Sequence, residues 1–256
     1  GVGGSIAFAF GLSMVVGPWL YSTLGLSSLF WFCGLLALVA ALSLLVLDNR
    51  KDQSARIDEE MEDGPWLTDD HRSSLIFICV GIALNHFVLM AVFLLLPQLL
   101  VKGGLTVGGH GFFYLLVLVL SFVLIAWPLA KDRRGVIALS SVWPFPLMAI
   151  AMILLMTEPS LGLLVLASIL LFMGFNFLEA SYPSRATLLA KASRRGLVMG
   201  VYSTCQFAGI ALGGVVGGFV LSALGGTALL IVCAALLVLF TLVEWTASRS
   251  RLNTGV

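Results

Sequence analysis

The chain has 256 residues, of which 60% are hydrophobic and 11% charged, and its mean hydropathy is +1.08. Soluble globular domains carry roughly 25% charged residues, so the composition excludes a water-soluble fold and points to an integral membrane protein. The net charge of +1 says nothing about partners; the placement of the charges is what informs.

Eight apolar segments are long enough to cross a hydrocarbon core of roughly 30 Å as helices. They are predicted at 2–24, 27–47, 73–101, 111–130, 135–156, 160–182, 196–221 and 225–247. The first opens on Gly1 already in apolar sequence, with no Met and no basic flank, and reads as a truncated start. It holds Gly17-Pro18, and a tight turn at Gly25-Leu26 makes it the first arm of an antiparallel hairpin. Asp48–Arg72 is the one sizeable polar insert, with nine acids and four basic residues, and reads as a linker rather than a domain. The third span carries Asn85 and His86 near its middle and Pro97 near its far end. Pro128, Pro144 and Pro146 suggest bends in the next two, although freed backbone groups in lipid are readily re-satisfied. Asn176 and Glu179 lie in the sixth, which Pro183 is expected to end four residues later. The seventh contains GVYSTCQFAGIALGGVVGG, Gly200–Gly218, in which Gly209, Gly213 and Gly217 recur every fourth residue. In lipid that spacing strips one helix face to backbone and lets a neighbour approach closely. The four cysteines, Cys33, Cys79, Cys205 and Cys233, lie in apolar runs without metal or redox spacing and read as small apolar filler.

A shift of 200 residues superposes Leu12–Leu42 on Leu212–Leu242 with eleven of 31 positions identical. The matches include Gly17/Gly217, Ser22/Ser222, Gly25/Gly225 and Cys33/Cys233, which shared leucine content does not explain. They indicate a duplicated unit whose copies run the same way through the membrane. Alternating the ends of the eight spans puts 13 of the 14 basic residues on one side and only Lys102 on the other. That first side is therefore cytoplasmic by the positive-inside rule. Residues 1–48 then form the last two helices of an N-terminal half, 49–72 a cytoplasmic linker, and 73–256 a complete six-helix C-terminal half. The parent implied is a twelve-helix protein whose first four helices are missing here.

Two parallel six-helix repeats joined by a charged linker resemble the major facilitator superfamily. Gly4, Gly17 and Pro18 match the fifth-helix motif of its drug:proton antiporters, G-x8-G-x3-G-P-x2-G-G; Ser13 is a small replacement, and Tyr21-Ser22 stands in place of the final glycine pair. Lys131-Asp132-Arg133-Arg134-Gly135 resembles the basic loop between helices 8 and 9. Asn176-Phe177-Leu178-Glu179-Ala180 followed by Pro183, with Gly200-Val201-Tyr202-Ser203-Thr204, resembles the helix 10–11 region of a bacterial multidrug-efflux branch. The resemblance implies an all-α polytopic bundle holding the equivalents of helices 5–12 of twelve. It also implies proton-coupled efflux of amphipathic organic molecules by alternating access, across a bacterial inner membrane.

Each candidate residue has a functional and a structural reading. A carboxylate in hydrocarbon must face the bundle interior or water, so Glu179 reads as a proton-coupling group, or as an anchor paired with Arg185 or capping a neighbouring helix. Asn176, one turn earlier, shares its face. His86 is a second proton carrier by chemistry, or with Asn85 an interhelical hydrogen bond. Gln206, one turn from Tyr202 beside the glycine face, touches substrate or ties helices together. Asn85, Asn176, Tyr202 and Gln206 are the candidates for a substrate cavity. Gly17, Pro18, Gly209, Gly213 and Gly217 are those for helix packing, and Asp132, Arg133 and Arg134 those for a cytoplasmic loop motif. No nucleophile, phosphate loop or metal box is present, so the expectation is a transporter rather than an enzyme. It needs no cofactor beyond a proton gradient and no nucleic acid; its partners are protons, small amphipathic substrates, the bilayer and the missing helices. The rival readings are a metabolite or sugar uptake transporter of the same fold, and a non-transporting membrane fragment.

Overall fold

The computed structural model describes residues 2–47, 67, 69–133, 143–157 and 160–253. The linker residues 48–66 and 68, Arg134, and residues 135–142 of the span expected at 135–156 lie outside them. Seven α-helices follow in chain order: α1 Val2–Leu24, α2 Leu26–Leu47, α3 Asp69–Lys102, α4 His110–Arg133, α5 Pro144–Leu155, α6 Leu161–Leu189 and α7 Arg195–Asn253. Five helical stretches among the described residues are long and apolar enough to cross a membrane: Leu26–Ser43, His71–Lys102, Val107–Asp132, Leu161–Leu189 and Arg195–Thr246. The 23 uncharged residues of α1 reach about 35 Å at 1.5 Å per residue. The last stretch is long enough for two passes and makes them, because Gly225 breaks α7 at φ 84°. An L side chain there would meet its own carbonyl, and only glycine takes that conformation without strain. Its counterpart in the repeat, Gly25, turns α1 into α2 at φ 79°. The matched serines behave alike too: Ser22 donates to the Trp19 carbonyl and Ser222 to the Phe219 carbonyl, each at 3.0 Å.

Local chemistry sets the other helix ends. The end of α3 closes in a Schellman motif: Gly104 has φ 90°, Leu105 N–H bonds the Leu100 carbonyl at 2.9 Å and Gly104 N–H that of Val101 at 3.0 Å. Ser160 caps α6 by accepting the Leu163 N–H at 3.4 Å. Pro144 opens α5 at its first turn, where a missing N–H is harmless. Pro183 does not end its helix, contrary to the sequence expectation. The helix runs on to Leu189, and the proline removes one ladder bond, to the carbonyl of Glu179.

The most extensive contact in the bundle is α3 on α7. A Cβ on Gly209 would meet the Ala83 backbone, one on Gly213 the Phe87 backbone, and one on Gly217 the Ala91 Cα at 3.2 Å. The partners advance in step, so α3 and the first arm of α7 run parallel with backbones nearly touching. The second arm returns antiparallel: Gly226 sits on Leu95 near the end of α3, and Phe240 packs back near Gly81. Likewise α6 lies on α5 where Gly174 admits Met148 and the Pro144 carbonyl. The continuous buried core lies in Leu67–Phe240. The α1–α2 hairpin packs on its flank through α4, and α2 is exposed from Phe30 onward wherever its side chains are described.

Gly17 does not make the contact expected of it. A Cβ there meets nothing within 4 Å, whereas one on Gly11 would strike the Leu118 side chain at 2.5 Å. Helix α1 buries Gly11 and Leu20, whereas Gly17 and Pro18 are half-exposed and no described helix comes close enough to Gly17 to touch a side chain there.

Candidate functional site

Near mid-length of α3, three polar side chains from three helices converge in an otherwise apolar interior. His86 of α3 and Glu179 of α6 are buried at 5% and 7% exposure, and Gln206 of α7 is half-buried. His86 Nε2 lies 3.3 Å from Glu179 Oε2. Gln206 Nε2 lies 3.0 Å from Glu179 Oε1 and 3.0 Å from His86 Nε2. The ring's other nitrogen, Nδ1, is 3.1 Å from the Ile82 carbonyl.

These distances constrain the protons. A carbonyl oxygen only accepts, so Nδ1 carries hydrogen and donates to Ile82. In a neutral ring Nε2 is then a lone pair facing a carboxyl oxygen, and two acceptors at 3.3 Å repel. A single proton between Glu179 and His86 removes the repulsion, as carboxylic acid with imidazole or as carboxylate with imidazolium. Both forms are neutral overall, which is what a site surrounded by hydrocarbon favours. The Gln206 amide must present its NH2 group, since its carbonyl would oppose the carboxylate. The Phe175 ring stands edge-on to His86, with centroids 5.2 Å apart.

Residues expected together are thus partly separated. Glu179, His86 and Gln206 meet. Tyr202, one turn before Gln206 on α7, is buried, and its hydroxyl has no hydrogen-bond partner among the described residues. Asn176 turns away despite its i, i+3 spacing from Glu179, and donates to Ser121 Oγ of α4 at 2.9 Å. Ser121 in turn donates to the Leu118 carbonyl at 2.8 Å. Asn85 reaches the Phe175 carbonyl at 3.5 Å, with its own Oδ1 unpartnered among the described residues. Asn85, Asn176 and Tyr202 are therefore buried between packed helices in this conformation. Arg185 forms an ion pair with Asp132 at the end of α4, rather than the pairing with Glu179 that the anchoring alternative invoked. Arg133 closes α4; Arg134 lies outside the described residues.

Two groups escaped sequence reasoning. Glu244 on the second arm of α7 is buried, although it stands only a few residues from Arg249 and reads as interfacial. Tyr182 is buried over Gly81, its hydroxyl 3.0 Å and its Cε2 2.9 Å from where a Cβ would be. The available signal was spacing: Tyr182 follows Glu179 by three residues, and a glycine faces it.

The model of the Major Facilitator Superfamily matches residues 1–189, so Gln206 and Tyr202 fall beyond the matched stretch. The inner membrane transport protein YajR of Escherichia coli (strain K12) is 30% identical over 222 residues, covering 86% of this chain and 49% of that protein. An uncharacterized transporter, BU466, of Buchnera aphidicola subsp. Acyrthosiphon pisum (strain APS) is 24% identical over 217 residues, covering 83% of this chain and 55% of that protein. The chain spans about half the length of these curated relatives.

Proposed function

Since the chain belongs to the Major Facilitator Superfamily, we propose that it is part of a secondary transporter in which the Glu179–His86 pair carries the coupling proton. The observation that carries this reading is the convergence of His86, Glu179 and Gln206 from three helices, with His86 Nε2 3.3 Å from Glu179 Oε2 and Gln206 Nε2 3.0 Å from each of its two partners. A group that must bind and release a proton during each cycle belongs where helices that move can change its partners. Gln206 donates to Glu179 Oε1 in either proton state, and its NH2 group also faces an acceptor at His86 Nε2 when the proton is on the carboxyl. The relatives are named transport proteins, so the reading is solute movement and not enzymatic chemistry. The proton gradient is the driving force and no bound cofactor takes part. The cargo class is amphipathic organic molecules moved outward; the apolar interior and the likeness to the antiporter motifs support it. The setting is a bacterial inner membrane, in keeping with the name of the Escherichia coli relative. In the whole protein, residues 1–48 complete an N-terminal half and 73–256 form the C-terminal half, rocking about a central cavity.

The test uses full-length protein in proteoliposomes under an imposed pH gradient, with ethidium as the amphipathic cation. Glu179→Gln keeps shape and hydrogen bonds but removes titration. Gradient-driven accumulation should collapse while downhill counterflow persists. Wild-type accumulation by the variant overturns the proton assignment; failure of the wild-type protein to move the dye under either condition overturns the cargo class.

A further inference from the structure

Asn85 and His86 are consecutive on α3, and both reach the same turn of α6, the one running from Phe175 to Glu179. His86 meets that turn twice. Its Nε2 lies 3.3 Å from Glu179 Oε2, and its ring stands edge-on to Phe175 with centroids 5.2 Å apart. Asn85 meets it through the backbone, with Nδ2 3.5 Å from the Phe175 carbonyl. In a helix that carbonyl accepts the backbone N–H four residues on, which belongs to Glu179. Asn85 therefore grips the atom from which the Glu179 turn hangs. The far end of the turn is open, because Pro183 has no N–H to give the Glu179 carbonyl.

A side-chain amide in an apolar interior is costly unless it is bonded. Asn85 is 0% exposed, and its Oδ1 has no partner among the described residues. Leucine would fill a similar volume without that cost. What the amide adds is the donation to Phe175. The carbonyl has a second lone pair, so it accepts Asn85 without releasing the Glu179 N–H. One bond from α3 thus holds a stretch of α6 that lacks one of its own.

We propose that Asn85 is a positioning residue for the proton carrier: by holding the Phe175 carbonyl it fixes the α6 turn that keeps the Glu179 carboxyl within reach of His86. The proposal rests on the reading that the pair carries the coupling proton. Anchor and proton partner are neighbours on one helix, so α3 carries the turn along with His86. A movement that breaks the Asn85 contact parts Glu179 from His86 as well. The ionisable groups around Glu179 are His86 from α3, Tyr202 from α7 and, on α6 itself, Tyr182 and Arg185, the last paired with Asp132 of α4. Asn176 supplies the contrast. It is equally buried and stands one turn from Glu179, yet it donates to Ser121 of α4 at 2.9 Å and leaves α3 alone.

The test follows an infrared carboxyl band of the full-length protein as pH is varied, the band being the one lost in Glu179→Gln. His86→Gln should move its midpoint by about one pH unit, a tenfold change in proton affinity. In an Asn85→Leu background the same substitution should move it by less than about threefold, because the carboxyl no longer stands against the ring. In an Asn176→Leu background the full tenfold effect should remain. A merely structural hydrogen bond would lower the thermal midpoint in both backgrounds and leave the His86 effect intact in both. Asn85→Ala, which removes the amide without adding bulk, is read in the same way if the leucine variant does not fold. A full His86 effect in the Asn85 variants overturns the positioning role. An effect lost equally in Asn176→Leu overturns it too, since general loosening then accounts for the change. If no titrating band is lost in Glu179→Gln, or if His86→Gln leaves the band unmoved in the otherwise native protein, the proton-carrying reading itself fails and the positioning role falls with it.

Discussion

Gln206 reaches both members of the pair from a third helix, so its removal tests the site's geometry apart from its titration. Gln206→Leu strips a donor from Glu179 Oε1 and from His86. Leaving a buried acceptor unmet costs roughly 1–3 kcal/mol, so the thermal midpoint of the detergent-solubilised protein should fall, and an unchanged midpoint would show the amide to be dispensable. The Arg185–Asp132 pair makes a second residue-scale case. Both side chains are at least partly buried, and removing one partner strands the other's charge, whereas removing both does not. Arg185→Met should therefore lower the midpoint more than Arg185→Met combined with Asp132→Asn; a larger fall in the double variant would refute the pairing. At this scale the sequence was readable in part. Glu179 and His86 stood out because charge inside an apolar run is conspicuous, but their mutual contact was not, since nothing in one helix reports the rotation of another. Asn176 shows the same limit: its spacing from Glu179 put it on a shared face, and packing gave it to Ser121 of α4.

Single helices were the most legible objects. Length and apolarity placed α1, α2 and α3 within a few residues, because lipid leaves the backbone no alternative to internal hydrogen bonding. Proline misled, since a membrane helix passes through Pro183 where a soluble one would stop. Glycine informed unevenly. The fourfold spacing of Gly209, Gly213 and Gly217 marks a face pressed on α3, while the aligned Gly17 faces open space. At Gly213 a bulky residue would collide with the Phe87 backbone, which has no rotamer to escape into. Gly213→Leu should destabilise the fold by about 3 kcal/mol, the upper range for overpacking. A Gly17→Leu control should be near neutral. Equal effects in a thermal-denaturation assay would dissolve the distinction. The turn glycines give a different expectation. Gly225→Ala meets no neighbour, yet forces a side chain into φ 84°, ψ 174°, a region almost confined to glycine, at a cost of roughly 1–3 kcal/mol. Gly25→Ala should cost the same, since φ is 79° there; a neutral outcome at both sites would contradict the backbone assignment.

For the whole molecule, basic residues and helix direction give one orientation. With native cysteines replaced, Ser193→Cys should resist a membrane-impermeant maleimide added to intact cells, while Thr106→Cys should react. The reverse pattern would invert the bundle. Motion within that bundle is limited by the seam between α3 and the first arm of α7. Gly209, Gly213 and Gly217 sit opposite Ala83, Phe87 and Ala91, a constant offset of 126 residues (209 − 83, 213 − 87, 217 − 91). Two such combs, tooth against gap, cannot glide; they re-seat only by a whole helical turn of about 5.4 Å. A transport cycle would therefore carry this pair as a single strut. Outside that strut, α6 has its ladder cut at the Glu179 carbonyl by Pro183, as α4 does at Pro128, so the helix bearing the carboxyl has one backbone bond fewer to hold it straight.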